Sequence, residues 1–341
     1  MDIQSSVNSN DIDGVKAFLN SPDLTIEMLN VRYNYTNSTL LMLAAMEGYI
    51  EIVREFLASE KCTAGVISAV DTNGRTALMM AARDGHAHVV RAFLDSQKCT
   101  TEMVSAVDTD RRTALMMAAI HNNVEVVREL LASKKCTTEM VTAVDTDRRT
   151  ALMLAAIHNN VEVVRELLAS KKCTTEMVTA VDTDGWTALM LAAIDGHVEV
   201  VRELLASQKC TTEMVSAVDT NGWTALMLAA IDGRVDVVRE FLASQKCPSE
   251  AISAVDTNGR TALMMAARNG RVDVVRAFLD SQKCPSEMVS AVDTNGRTAL
   301  MMAEMNGRVD VVKALKERSA ADTLQKAAPT QMRFMILLAL L

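Results

Sequence analysis

The stretch Asp182-Thr-Asp-Gly-Trp-Thr-Ala-Leu-Met-Leu-Ala-Ala-Ile-Asp-Gly-His-Val-Glu-Val-Val-Arg-Glu-Leu-Leu-Ala206 decides the fold. Asp184-Gly185 supplies the left-handed backbone that a tight hairpin turn wants. Thr187 stands where its hydroxyl accepts from an otherwise unpaired amide at the start of a helix. Leu189, Ala192 and Ala193 give that helix a small-residue face for close stacking, and Gly196 is its natural stop. Val198, Val201, Leu204 and Leu205 recur at helical spacing in a second helix, with Glu199 and Arg202 on its wet side. The segment therefore reads as a hairpin followed by two antiparallel helices.

Working outward, the same phrase returns along the chain. Thr-Ala-Leu-Met begins at Thr76, Thr113, Thr150, Thr187, Thr224, Thr261 and Thr298, always 37 residues apart, and Thr39-Leu-Leu-Met opens an eighth copy in phase. Residues 108–144 and 145–181 differ only at Met117 against Leu154, so the copies are recent duplicates. Self-similarity at such a period is the mark of a solenoid, in which each unit buries its apolar face only against its neighbours. That resolves how 341 residues fold without one large core. Hydrophobic residues make up 49% of the chain but aromatics only 3%, and 23 methionines suit thin helix-on-helix layers better than a sheet core. The expected fold class is all-α.

The phrase Asp-x-Asn/Asp-Gly-x-Thr-Ala-Leu-Met-x-Ala-Ala-x-x-Gly-His-x-x-Val-Val-x-x-Leu-Leu resembles the ankyrin repeat, from about Asp11 to Ser319. The resemblance implies a helical repeat solenoid with short hairpin loops. Two departures stand out. Thr-Ala-Leu-Met replaces the family's Thr-Pro-Leu-His, losing the preset proline φ and gaining adaptable thioether packing. The period also exceeds the usual one of about 33 residues. The excess lies in Lys172-Cys173-Thr-Thr-Glu-Met-Val-Thr-Ala-Val181, where Thr175-Glu176, or Pro285-Ser286-Glu287 in a later copy, predicts an extra helical turn per repeat. The expected organisation is a half-matched capping repeat over 1–33, eight repeats over 34–319 and a tail over 320–341, whose apolar stretch Pro329–Leu341 reads as a capping helix.

Charge and motifs narrow the function. A formal charge of −8 disfavours nucleic acid as a partner. The start Met1-Asp2-Ile3-Gln4 has no signal-peptide character and no apolar run reaches the roughly 20 residues of a membrane span, so a cytoplasmic, monomeric protein is expected. Cys62, Cys99, Cys136, Cys173, Cys210, Cys247 and Cys284 share one repeat position. Helices packed about 8–10 Å apart hold such residues too far apart for a disulfide or a shared metal ion, so they read as buried structural thiols. His86 and His197 belong to the resembling Gly-His pair, and His121 and His158 have no ligand partner at a metal-binding spacing. No metal or other cofactor is expected. No phosphate-binding glycine loop, nucleophile elbow or zinc motif occurs, and no enzyme activity is expected.

The positions that vary between copies are therefore the informative ones. The residue before the capping threonine reads Arg75, Arg112, Arg149, Trp186, Trp223, Arg260 and Arg297. The residue after Ala-Ala reads Met46, Arg83, Ile120, Ile157, Ile194, Ile231, Arg268 and Met305. In proteins that this chain resembles, both columns line the concave surface. The expected ridge has isoleucine in its middle, the two tryptophans beside it and arginine toward both ends, which suits a protein interface. The expected function is a scaffold or adaptor that binds a protein partner with an acidic flank. The competing expectation is a regulatory or targeting subunit that inhibits or localises an enzyme, its tail touching a membrane.

Overall fold

The computed structural model describes residues 3–327. The described residues are helical, with two isolated β-bridges, Tyr33 to Ser38 and Val255 to Thr261, in place of extended strands. Each first helix starts at its threonine, as the sequence predicts. Oγ1 of Thr76, Thr113, Thr150, Thr187, Thr224 and Thr261 accepts from the amide three residues on, a methionine in every case, at 3.3 Å. Gly196, Gly233 and Gly270 end their helices in the left-handed region. Asn122 and Asn159 take that conformation, at φ of 57° and 56°, where glycine is missing.

Packing follows the small-residue face. Ala192 and Ala193 and their counterparts are wholly buried, so first helices of neighbouring repeats approach closely. The second helix needs one correction. Its sealed stripe is Val200, Val201, Leu204 and Leu205, whereas Val198 is only half-buried. Val198 is the helix's first residue, and the stripe that faces the neighbour begins a half-turn later. The predicted extra turn is present in every copy that has the segment, for example Thr101–Val104, Thr175–Thr179 and Ser286–Ser290. It begins two residues after each of the seven cysteines, which are all buried and unbridged.

The chain divides into two compact units at Thr183 and Asp184. In the first, the helices Leu40–Met46, Ala77–Arg83, Ala114–Ile120 and Ala151–Ile157 pack in succession, behind an N-terminal pair, Ile3–Asn8 and Ile12–Leu19. Its hairpins are tied edge to edge, since the amides of Thr72, Thr109, Thr146 and Thr183 donate to the carbonyls of Thr36, Asn73, Asp110 and Asp147 at 2.9–3.1 Å. In the second unit, Ala188–Asp195, Ala225–Asp232, Ala262–Asn269 and Ala299–Met305 stack in the same way. Its final helix, Val309–Ala327, runs 19 residues, and Lys316 bridges Glu304 at 2.8 Å. The expected capping helix over Pro329–Leu341 falls outside the described residues. No helix among the described residues is long and apolar enough to cross a membrane.

Candidate functional site

The hairpin is built around one buried aspartate. In the six hairpins of Asp71, Asp108, Asp145, Asp219, Asp256 and Asp293, Oδ1 accepts from the amides two and four residues later, at 2.7–3.0 Å. The backbone closes as a three-residue loop: Gly74 donates to the carbonyl of Asp71 and Asp71 to that of Arg75. Only the glycine is left-handed, at φ 74°, and Asn73 is not. The left-handed backbone expected of these pairs is thus supplied by the glycine alone, in a three-residue loop.

That aspartate decides where the residue before the threonine points. Arg75, Arg260 and Arg297 fold back so that Nε and Nη2 both donate to Oδ2 of Asp71, Asp256 and Asp293. Arg112 and Arg149 instead pair with Asp110 and Asp147 at 3.1 and 3.2 Å. The turn position is asparagine in the first set and aspartate in the second, and the extra carboxylate draws the guanidinium away. It leaves Nε of Arg112 and Arg149 buried without an acceptor. The expected arginines of the hairpin column thus reach the surface already paired to their own hairpins. Trp186 and Trp223 reach the other way, each indole donating to the aspartate of the next hairpin, Asp219 at 3.2 Å and Asp256 at 3.4 Å. Both rings are half-buried.

The second expected column lies on the first helix. Ile120, Ile157, Ile194 and Ile231 are half-buried and Arg268 is exposed. The carbonyls just beneath them are taken by the residue that follows the helix-ending glycine or asparagine in the next repeat. His86 Nε2 donates to Met46 O at 2.8 Å. Asn123 holds Ala82 O and Arg83 O, Asn160 holds Ala119 O and Ile120 O, and Arg234, Arg271 and Arg308 hold Ile194 O, Ile231 O and Arg268 O through Nε. Sequence reasoning recognised this support only for histidine. Asparagine and arginine at the same repeat position were the signal for the rest.

Two clefts bring expected residues together, one in each unit. In the first unit Arg75, Arg112 and Ile120 line a cleft of about 350 Å³ with Arg83, Asp108 and Asp110. In the second, Trp223, Ile231, Arg260 and Arg268 surround a slot of about 130 Å³ floored by Met264 and Met265. Arg149, Ile157, Trp186, Ile194 and Arg297 line neither. A larger cleft, about 640 Å³, lies along the second helices of the first unit. Its groups are engaged with one another: Arg91 pairs with Glu129, and Lys135 Nζ donates to the carbonyls of Leu94 and Ser96.

Lys135 belongs to a ladder that sequence reasoning passed over. Lys61, Lys98, Lys135 and Lys172 in the first unit, and Lys246 and Lys283 in the second, each donate to carbonyls at the C-terminal end of the preceding repeat's second helix. Arg318 performs this on Leu279 O at 2.6 Å. The fixed Lys-Cys spacing could have revealed it. The cysteines are correspondingly inert, burial pushing the thiols of Cys62 and Cys247 up to about 11 against the pull of Lys98 and Lys283. No cluster of metal-binding side chains occurs among the described residues. What the hairpin side offers is half-buried apolar surface edged by guanidinium groups, which is the chemistry of recognition.

A family model described as ankyrin repeats in three copies matches residues 3–105, 95–179, 171–251 and 240–327. No curated protein matches the chain.

Proposed function

Because the chain belongs to the ankyrin repeat family, whose repeats are generally protein-protein interaction modules, we propose that it is a non-catalytic scaffold or adaptor that grips a protein partner on the hairpin and first-helix face. The observation that carries the proposal is the division of labour between positions. The constant residues are consumed by folding: threonines cap, aspartates hold the turns, lysines hold helix ends, cysteines and alanines are buried. The varying columns keep half-buried or exposed side-chain surface beyond their bonds to the hairpins, with Trp223, Ile231 and Arg268 together at one slot, and that surface supports recognition. Aromatic and arginine side chains in such a setting are the usual energetic centres of interfaces. Seven unbridged cysteines support a reducing compartment, and on this reading the protein works in the cytoplasm, as a monomer.

The test begins with affinity capture and mass spectrometry to identify a partner. Its purified form is then titrated into wild type and into the Trp186→Ala/Trp223→Ala double variant, with helicity checked by circular dichroism. The expected result is a loss of at least about tenfold in affinity, in line with truncating an interfacial aromatic anchor. Unchanged affinity in a folded double variant removes the assignment of this face.

A further inference from the structure

The slot in the second unit allows a step that rests on the reading just given and names the chemistry of what enters. Met264 and Met265 form its floor and are 0% and 4% exposed, while Trp223 and Ile231 stand half-buried around it. At about 130 Å³ it holds a side chain rather than a small-molecule ligand, for which about 300–1,000 Å³ is usual. Methionine at the floor lets the slot adapt to aliphatic or aromatic shapes.

The charge at its rim is the distinguishing feature. Arg83 occupies the same repeat position as Arg268, and both its Nε and Nη2 are held by Asp84, at 2.8 and 2.7 Å. In the later copy Asn269 stands where that aspartate would be, and Arg268 is exposed and forms no ion pair among the described residues. Arg260, on the other wall, is spent on Asp256. No carboxylate lines the slot. It therefore combines an apolar floor with one uncompensated guanidinium, a group suited to bidentate capture of a carboxylate. The cleft of the first unit lacks this property, because Arg75, Arg83 and Arg112 each already hold an aspartate.

We propose that this slot receives a partner segment in which a large apolar residue is adjacent to an aspartate or glutamate, the apolar side chain entering between Trp223 and Met265 and the carboxylate meeting Arg268. The full chain, labelled at methionine methyls and tryptophan indoles, is titrated by NMR with acetylated hexapeptides whose central pair is Leu-Glu, Leu-Lys or Ala-Glu. The Leu-Glu peptide is expected to shift Met264, Met265 and Trp223. The other two are expected to bind about tenfold or more weakly, the scale of a lost charge pair or anchor. Arg268→Glu, a surface change whose folding is checked by circular dichroism, is expected to weaken Leu-Glu and strengthen Leu-Lys.

Equal shifts from Leu-Glu and Leu-Lys, or no shift at these three residues with any peptide, overturn the proposal. Shifts confined to other hairpin-side residues, such as Trp186, overturn it while sparing the broader face. A partner that binds the folded double tryptophan variant unchanged removes the face itself.

Discussion

The indole nitrogen of Trp186 donates to Oδ2 of Asp219 at 3.2 Å, joining the hairpin of one repeat to the buried carboxylate of the next. Asp219 also accepts from the amides of Asn221 and Trp223 through Oδ1, so the indole is the principal donor to its second oxygen. Trp186→Phe keeps an aromatic ring, smaller than the indole, and removes that donor. Unfolding free energy is expected to fall by about 1–2 kcal/mol, as for a lost hydrogen bond to a charged acceptor. Urea denaturation checks it, and an unchanged midpoint would mean that water replaces the indole without cost.

Arg111 and Arg148 occupy the glycine position of their hairpins at φ of 62° and 63°. At the equivalent Gly74 an added Cβ would lie 3.0 Å from the amide nitrogen of Thr109, so the place is tight as well as left-handed. Arg111→Gly is therefore expected to stabilise the protein by about 0.5–1 kcal/mol. Thermal melting of the single variant is the measurement, and a lower melting temperature would contradict it.

The Arg297 guanidinium holds Asp293 down to about 2 from an ordinary 3.8, outweighing burial, with the amides of Arg297 and Asn295 assisting. A folded value below the unfolded one gives stabilisation that is complete above about pH 4 and lost as the pH falls through about 2. The amide signals of Asn295 and Arg297 are expected to titrate with a midpoint near the lower value, and Asp293→Asn is expected to abolish the step. A midpoint near 3.8 would show that the ion pair does not form. Asp256 carries the same sign: burial pushes it up, but Arg260 and two amides prevail and the net shift is downward.

With all seven thiols buried and those of Cys62 and Cys247 raised to about 11, native protein at pH 8 is expected to react negligibly with a disulfide reagent. Seven equivalents should react once guanidinium unfolds the chain. A fast native equivalent would reveal a thiol opened by local unfolding.

The scaffold was legible in the sequence because repetition prints each packing rule many times. Thr187 as cap, Gly196 as stop, Ala192 and Ala193 as the stacking face and the extra turn at Thr175 all lie where the spacing places them. Val198 was misjudged because periodicity gives the stripe but not the helix's first residue. The site was harder to read. Whether Arg75 is free or folded onto Asp71 depends on the neighbouring turn residue, and the reach of Trp186 to Asp219 spans 33 positions. Column statistics show that a position varies, and only coordinates show which way each side chain turns.

The lysine ladder has a direction, since each ammonium serves carbonyls made earlier in the chain. During synthesis from the N-terminus, every layer stays open to water at one helix end until the following lysine emerges. Within each unit a layer therefore depends on the one made after it to close its helix end, and an array cut between repeats would lack these bonds at its last edge.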